Sequence, residues 1–172
     1  QGMMPAFSMD GKILLQEKNQ LVMSPNGHGG SLKALVDSGS IALMEEEEIE
    51  CISYFQVDNP MVYCMDPTFI GLHKASGSEM SSKAVKKLSP KERVGTFVQI
   101  GETLQVMEYS DIPPQLSSEK LKNGSLRFGL GSIAIHLLER NFVNRVAGST
   151  ETERQGLKYH GAHKKVCCLD NN

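Results

Sequence analysis

The six residues Pro25-Asn26-Gly27-His28-Gly29-Gly30 constrain this chain more than any other stretch, because three glycines around one imidazole run straight into the helical spacing of Leu32, Leu35 and Val36. Glycine reaches backbone conformations closed to other residues and lets a flat ligand come close, and a helix start presents amide N–H groups. The segment predicts a strand-to-helix turn able to carry a ligand. Its spacing is not the G-x-G-x-x-G of a dinucleotide site, and no Lys-Ser or Lys-Thr follows it as in a P-loop. Taken alone, an ordinary turn accounts for it equally well.

The flanking patterns fill in the elements. Met3 to Ser8 and Lys12 to Gln16 bracket Asp10-Gly11, a strong hairpin signal. Ile41 to Glu48 reads as a helix whose four closing glutamates point in different directions and form a solvated face. Ile49 to Val57 is rich in β-branched and aromatic residues and reads as a buried strand stopping at Asp58-Asn59-Pro60. Pro67 to Ala75 is helical, with Asp66 as N-cap and Pro67 at the first position. Strands follow at Ser82 to Lys87, Val94 to Ile100 and Leu104 to Glu108, the last two joined at Gly101-Glu102. Leu126 to Ile135 is a further strand, where Gly129 and Gly131 signal a bulge or a close approach of backbone. A short helix at Asn141 to Val146 and a polar loop over 149–156 come next. Strands alternating with helices give an α/β expectation: a mixed, mostly parallel sheet with helices on its faces. In such sheets ligands sit beyond the carboxyl ends of strands, which singles out Asp58.

Composition narrows the function. With 172 residues, 40% of them apolar, the chain has enough material for one core. A formal charge of −2 and scattered basic residues argue against nucleic acid as a partner. No apolar run approaches the roughly 20 residues of a membrane span. The four cysteines lack C-x-x-C spacing, which fits a reduced, cytoplasmic protein. Catalytic zinc and a hydrolase triad are unsupported, because none of the five histidines has zinc-motif spacing or a neighbouring cysteine nucleophile. His160 and His163, three apart, suit a metal pair or, more simply, a solvated or helix-ending role. The polar groups left at strand ends are Gln1, His28, Asp58, Glu108, Tyr109 and Ser132. A lone aspartate there suits Mg²⁺, which keeps few protein ligands beside water and substrate phosphates. That chemistry belongs to a nucleotide site.

Gln1-Gly2-Met3-Met4-Pro5-Ala6, Asp10-Gly11-Lys12-Ile13, the PNGHGG loop, Val57-Asp58-Asn59, Val106-Met107-Glu108-Tyr109-Ser110 and Gly131-Ser132-Ile133-Ala134 occur in the order and spacing of one family. From Gln1 to about Leu169 the chain resembles the UDP-N-acetylglucosamine pyrophosphorylases. The resemblance implies a Rossmann-like nucleotidyltransferase domain of GT-A type. It also implies Mg²⁺-dependent uridylyl transfer, in which UTP and N-acetylglucosamine 1-phosphate give UDP-N-acetylglucosamine and pyrophosphate. Carried over by position, Gln1, Gly27 and His28 face the uridine nucleotide, and Asp58 stands by its phosphates and metal. Gly95, Glu108, Tyr109 and Ser132 take the sugar phosphate.

Two departures from the family pattern bear on specificity. His28 stands where many members have Asn, and Ser132 replaces an Asn that contacts substrate. The second keeps open a UDP-sugar or UDP-glucose pyrophosphorylase of broader preference. The family's phosphate-gripping glycine loop with its arginine, and its phosphate-binding lysines, lie outside these residues. The chain is therefore expected to be the central part, 1–172, of one catalytic domain whose N-terminal phosphate loop and C-terminal segment are absent. Alone it should turn over little or nothing. The alternative from another class is a non-catalytic nucleotide-binding module.

Overall fold

A computed structural model describes residues 2–148, 157, 159–161, 163 and 165–169. Gln1 and the polar loop expected over 149–156 lie outside them. In chain order the elements are β1 (Met3–Pro5), β2 (Leu15–Glu17), β3 (Gln20–Leu21), β4 (Met23–Pro25), α1 (Gly29–Asp37), α2 (Ser40–Glu46), β5 (Cys51–Tyr54) and α3 (Pro67–Ser76). There follow β6 (Met80–Lys86), β7 (Thr96–Ile100), β8 (Thr103–Met107), α4 (Pro114–Ser117), β9 (Leu130–Glu139) and α5 (Arg140–Gly148). They form two units, one of residues 1–50 with 140–172 and the other Cys51–Glu139.

In the first unit β1 pairs antiparallel with β4, and β2 with β3. The Asp10-Gly11 turn is present: Gly11 takes φ +81°, Gly11 N–H donates to Ser8 O at 3.0 Å, and Phe7 bridges Ile13. Helix α5 packs on α1 and α2 through Val143 and Ala147, with Ile41 buried from α2. Glu45 to Glu48 are exposed, as a solvated acidic run requires.

The second unit is organised by β9, the last of its strands. Residues His136 to Leu138 of β9 pair with β5 on one edge and with β6 on the other. Further toward its N-terminus β9 pairs with β7, which forms a hairpin with β8 around Gly101 at φ +62°. Buried Val98, Ile112, Ile135, Leu137 and Leu138 make this unit's apolar core. Helix α3 begins as the sequence requires: Asp66 Oδ1 accepts from Thr68 N–H (3.0 Å) and Phe69 N–H (3.3 Å), with Pro67 in the first turn. Gly77, at φ +61°, ends it.

The expected mostly parallel sheet is corrected: the architecture is mixed α/β, but every ladder among the described residues is antiparallel. The reason lies in β5-α3-β6. These two strands run parallel to each other, as a strand-helix-strand pattern suggests, yet they do not pair. β9, arriving much later in the chain, fills the slot between them in the opposite direction. The strand expected over Ile49 to Val57 shrinks to Cys51–Tyr54, and the one expected over Leu126 to Ile135 shifts to Leu130–Glu139.

Candidate functional site

In the first unit the glycine loop closes β4 and opens α1. Gly27 holds φ +75°, a left-handed conformation that favours glycine, and a Cβ on Gly30 would overlap the side chain of Asn26. His28 stands at the N-cap with helical angles (φ −65°, ψ −34°) and its imidazole is exposed. The helix amides nearest the loop turn inward: Gly30 N–H donates to Gly27 O at 3.2 Å and Ser31 N–H to His28 O at 3.0 Å. The loop thus presents a glycine edge and an imidazole rather than a row of free N–H groups.

In the second unit three of the sequence-selected residues share one corner of the sheet. Ser132, on β9, donates its N–H to Gly95 O at 2.7 Å. The register Thr96↔Met107 sets Glu108 across from Gly95, immediately beyond the paired residues, with Tyr109 next. A Cβ on Gly95 would come to 2.7 Å from Val106 Cγ1 and 3.8 Å from Ser132 Cβ, so only glycine keeps the β7 backbone close to both. Glu108 is exposed and Tyr109 is 49% exposed. Just past Ser132, Ala134 takes φ +53° where β9 bulges against β6, between the pairs Ser82↔His136 and Ala84↔Ser132. The distortion expected near Gly129 and Gly131 therefore sits on an alanine beyond them.

Asp58 follows β5 in an exposed turn, with Asn59 N–H donating to Gln56 O at 3.1 Å. β5 runs along β9 from Glu139 toward His136, so the chain leaves it heading toward the Ser132 end. The Asp58 carboxylate receives no hydrogen bond or ion pair from the described residues.

The opposite end of β9 carries a cluster that sequence spacing did not reveal. Cys51 and Glu139 are cross-strand partners. His73, fully buried near the end of α3, places Nε2 at 3.0 Å from Glu139 Oε1 and Nδ1 at 2.7 Å from Ser81 Oγ. Lys74 Nζ also reaches Glu139 Oε1, at 2.8 Å. Burial pushes Glu139 up, but the bonds from Lys74 and His73 outweigh it and hold the carboxyl below its usual range. Burial and the facing Glu139 charge push the Cys51 thiol up. Three chain-distant residues meet here, so no local motif announces them. His160 and His163 are exposed and lie outside any helix.

The profile of the UTP–glucose-1-phosphate uridylyltransferase family matches residues 1–149. The chain belongs to this family. Within it the chain is similar to the UDP-N-acetylhexosamine pyrophosphorylase-like protein 1 of Xenopus tropicalis, 38% identical over 99% of the chain and 33% of that protein. It is also similar to the UDP-N-acetylglucosamine pyrophosphorylase of Saccharomyces cerevisiae, 31% identical over 99% of the chain and 35% of that protein. Among solved structures, the uridine diphosphate N-acetylglucosamine pyrophosphorylase of Trypanosoma brucei superposes with a TM-score of 0.81 at 25% identity, over 96% of the chain and 33% of that protein. The chain thus spans about a third of the length of the relatives it matches. No helix among the described residues is long and apolar enough to cross a membrane.

Proposed function

We propose that this chain is the central part of a uridylyltransferase that joins UTP to N-acetylglucosamine 1-phosphate, releasing pyrophosphate. The observation that carries the reading is the corner where Ser132 N–H meets Gly95 O at 2.7 Å beside Glu108, a small-residue floor edged by a carboxylate. A sugar can lie against Gly95 while Glu108 accepts hydrogen bonds from its hydroxyl groups and Tyr109 flanks it. Gln1, Gly27 and His28 are assigned to the uracil and ribose: a side-chain amide reads the base edge, and a glycine lets the ring approach.

What supports Mg²⁺ at Asp58 is the donor itself, a solvent-facing carboxylate that receives no bond from the described residues. The ion would supply positive charge against the phosphate oxygens as the α-phosphorus is attacked. The chain's own residues position the two substrates and leave the phosphates open to groups outside it.

The hydroxyl of Ser132, shorter than an Asn amide, favours a second reading of broader sugar preference. The test is pyrophosphate release by the full-length protein with UTP and N-acetylglucosamine, glucose or galactose 1-phosphate. The main reading expects the acetylated sugar to be preferred, and Ser132→Asn to increase that preference. Equal turnover of all three establishes the broader enzyme, and no uridylyl transfer with any of them overturns both.

A further inference from the structure

The cluster at the Glu139 end of β9 shares no residue with those assigned to UTP and the sugar phosphate, and its donor set differs from theirs. One ligand atom each from Cys51, His73 and Glu139 lies within 4.8 Å of the other two. Around a tetrahedral zinc ion, with Zn–S about 2.3 Å and Zn–N or Zn–O about 2.0 Å, ligand atoms stand roughly 3.5 Å apart, so small side-chain adjustments bring the three into range. A thiolate and an imidazole select zinc over magnesium, which takes oxygen donors.

We propose that Cys51, His73 and Glu139 form a Zn²⁺ site that ties β5, α3 and β9 together at the end of the sheet opposite Ser132. The two ends are roughly 20 Å apart at about 3.3 Å per strand residue. Three features make the cluster a built site. His73 is buried, and Ser81 Oγ, 2.7 Å from Nδ1, fixes the orientation of the ring; on metal binding the ring proton now directed from Nε2 at Glu139 gives way to one on Nδ1, which donates to Ser81 Oγ and leaves Nε2 to the ion. The charges balance, because thiolate and carboxylate neutralise a divalent ion; the Cys51 proton leaves to solvent on binding. An open groove of about 320 Å³ lined by His73, Lys74, Gly77, Ser78, Glu79 and Glu139 gives the ion an entry path and room for water as fourth ligand. Lys74, already on Glu139 Oε1, is the competing cation. It lowers the affinity of the site without blocking it, since the second carboxylate oxygen remains a donor.

The experiment uses Co²⁺ as a spectroscopic substitute for Zn²⁺ on the chelator-treated chain. Expected are one ion bound per chain and a thiolate-to-cobalt charge-transfer band. Cys51→Ser, checked for folding by circular dichroism, should abolish the band. The triple variant Cys64→Ser, Cys167→Ser, Cys168→Ser should keep it. Ser81→Ala should weaken binding about tenfold while leaving the band in place, and Lys74→Met should tighten it. Absence of stoichiometric binding overturns the proposal. So does a band that survives Cys51→Ser, or one that disappears in the triple variant.

Discussion

The two ends of β9 handle polarity in opposite ways. At the Ser132 end the side chains are small, the backbone is distorted at Ala134, and the carboxylate of Glu108 faces solvent. At the Glu139 end the side chains are already paired: His73 with Glu139 and Ser81, and Lys74 with Glu139. A surface meant for a substrate leaves its hydrogen-bonding capacity unspent, whereas a surface that holds the fold saturates it. On the proposed function, one strand carries a recognition face and a structural clasp, and substitutions at its two ends should separate catalysis from stability.

The largest effect is expected from Asp58→Asn in the full-length protein. Losing the carboxylate should lower the Mg²⁺-dependent rate by about 100-fold while leaving the melting temperature unchanged; an unaltered rate removes Asp58 from the site. At the other end, His73→Ala removes a fully buried side chain and leaves Ser81 unpartnered. It should cost about 2 kcal/mol of stability in denaturant unfolding, and a cost near zero would erase the contrast between the ends. Gly95→Ala adds a methyl group 2.7 Å from Val106 Cγ1. It should raise KM for the sugar phosphate by about tenfold with kcat less affected, and an unchanged KM places the sugar elsewhere. Ala134→Gly relieves a left-handed alanine and should stabilise by about 0.5 kcal/mol. A loss of sugar affinity in that variant would show that the bulge itself aims Ser132.

The smallest effect concerns pH. Lys83, 2.6 Å from Asp66 Oδ2, holds the Asp66 carboxyl below its usual range, helped by the α3 amides it caps. A depressed folded-state pKa contributes stability that is present above the ordinary carboxylate pKa and lost as pH falls through the lowered one. Asp66→Asn should therefore lose that contribution at neutral pH, converge with the parent as the pH falls, and so flatten the acid limb of unfolding. An acid limb of undiminished steepness would assign that pH dependence to other carboxylates.

Legibility followed the range of the interaction. The start of α3 was plain from Asp66-Pro67, and the hairpins from Asp10-Gly11 and Gly101-Glu102, because caps and turns are decided by residues a few positions apart. The corner at Gly95, Glu108 and Ser132 was reached through family resemblance, since nothing local says that three separate strand ends meet. The direction of the sheet is not legible from local signals. β5, α3 and β6 carry a valid strand-helix-strand signature, and only the register of a strand some fifty residues later shows that the two strands never touch. The cluster of Cys51, His73 and Glu139 was hidden for the same reason: each is unremarkable among its sequence neighbours.

That β9 is the common partner of β5, β6 and β7 sets a schedule for synthesis. On the ribosome, the three earlier strands emerge as open edges with no ladder between them apart from the β7–β8 hairpin, and they stay so until residues 130–139 are made. Such waiting edges are templates for wrong pairing between nascent chains. A translation pause before Leu130, or a truncation there, should yield aggregate rather than a partly folded unit, so solubility of nested C-terminal truncations reads out when the sheet closes.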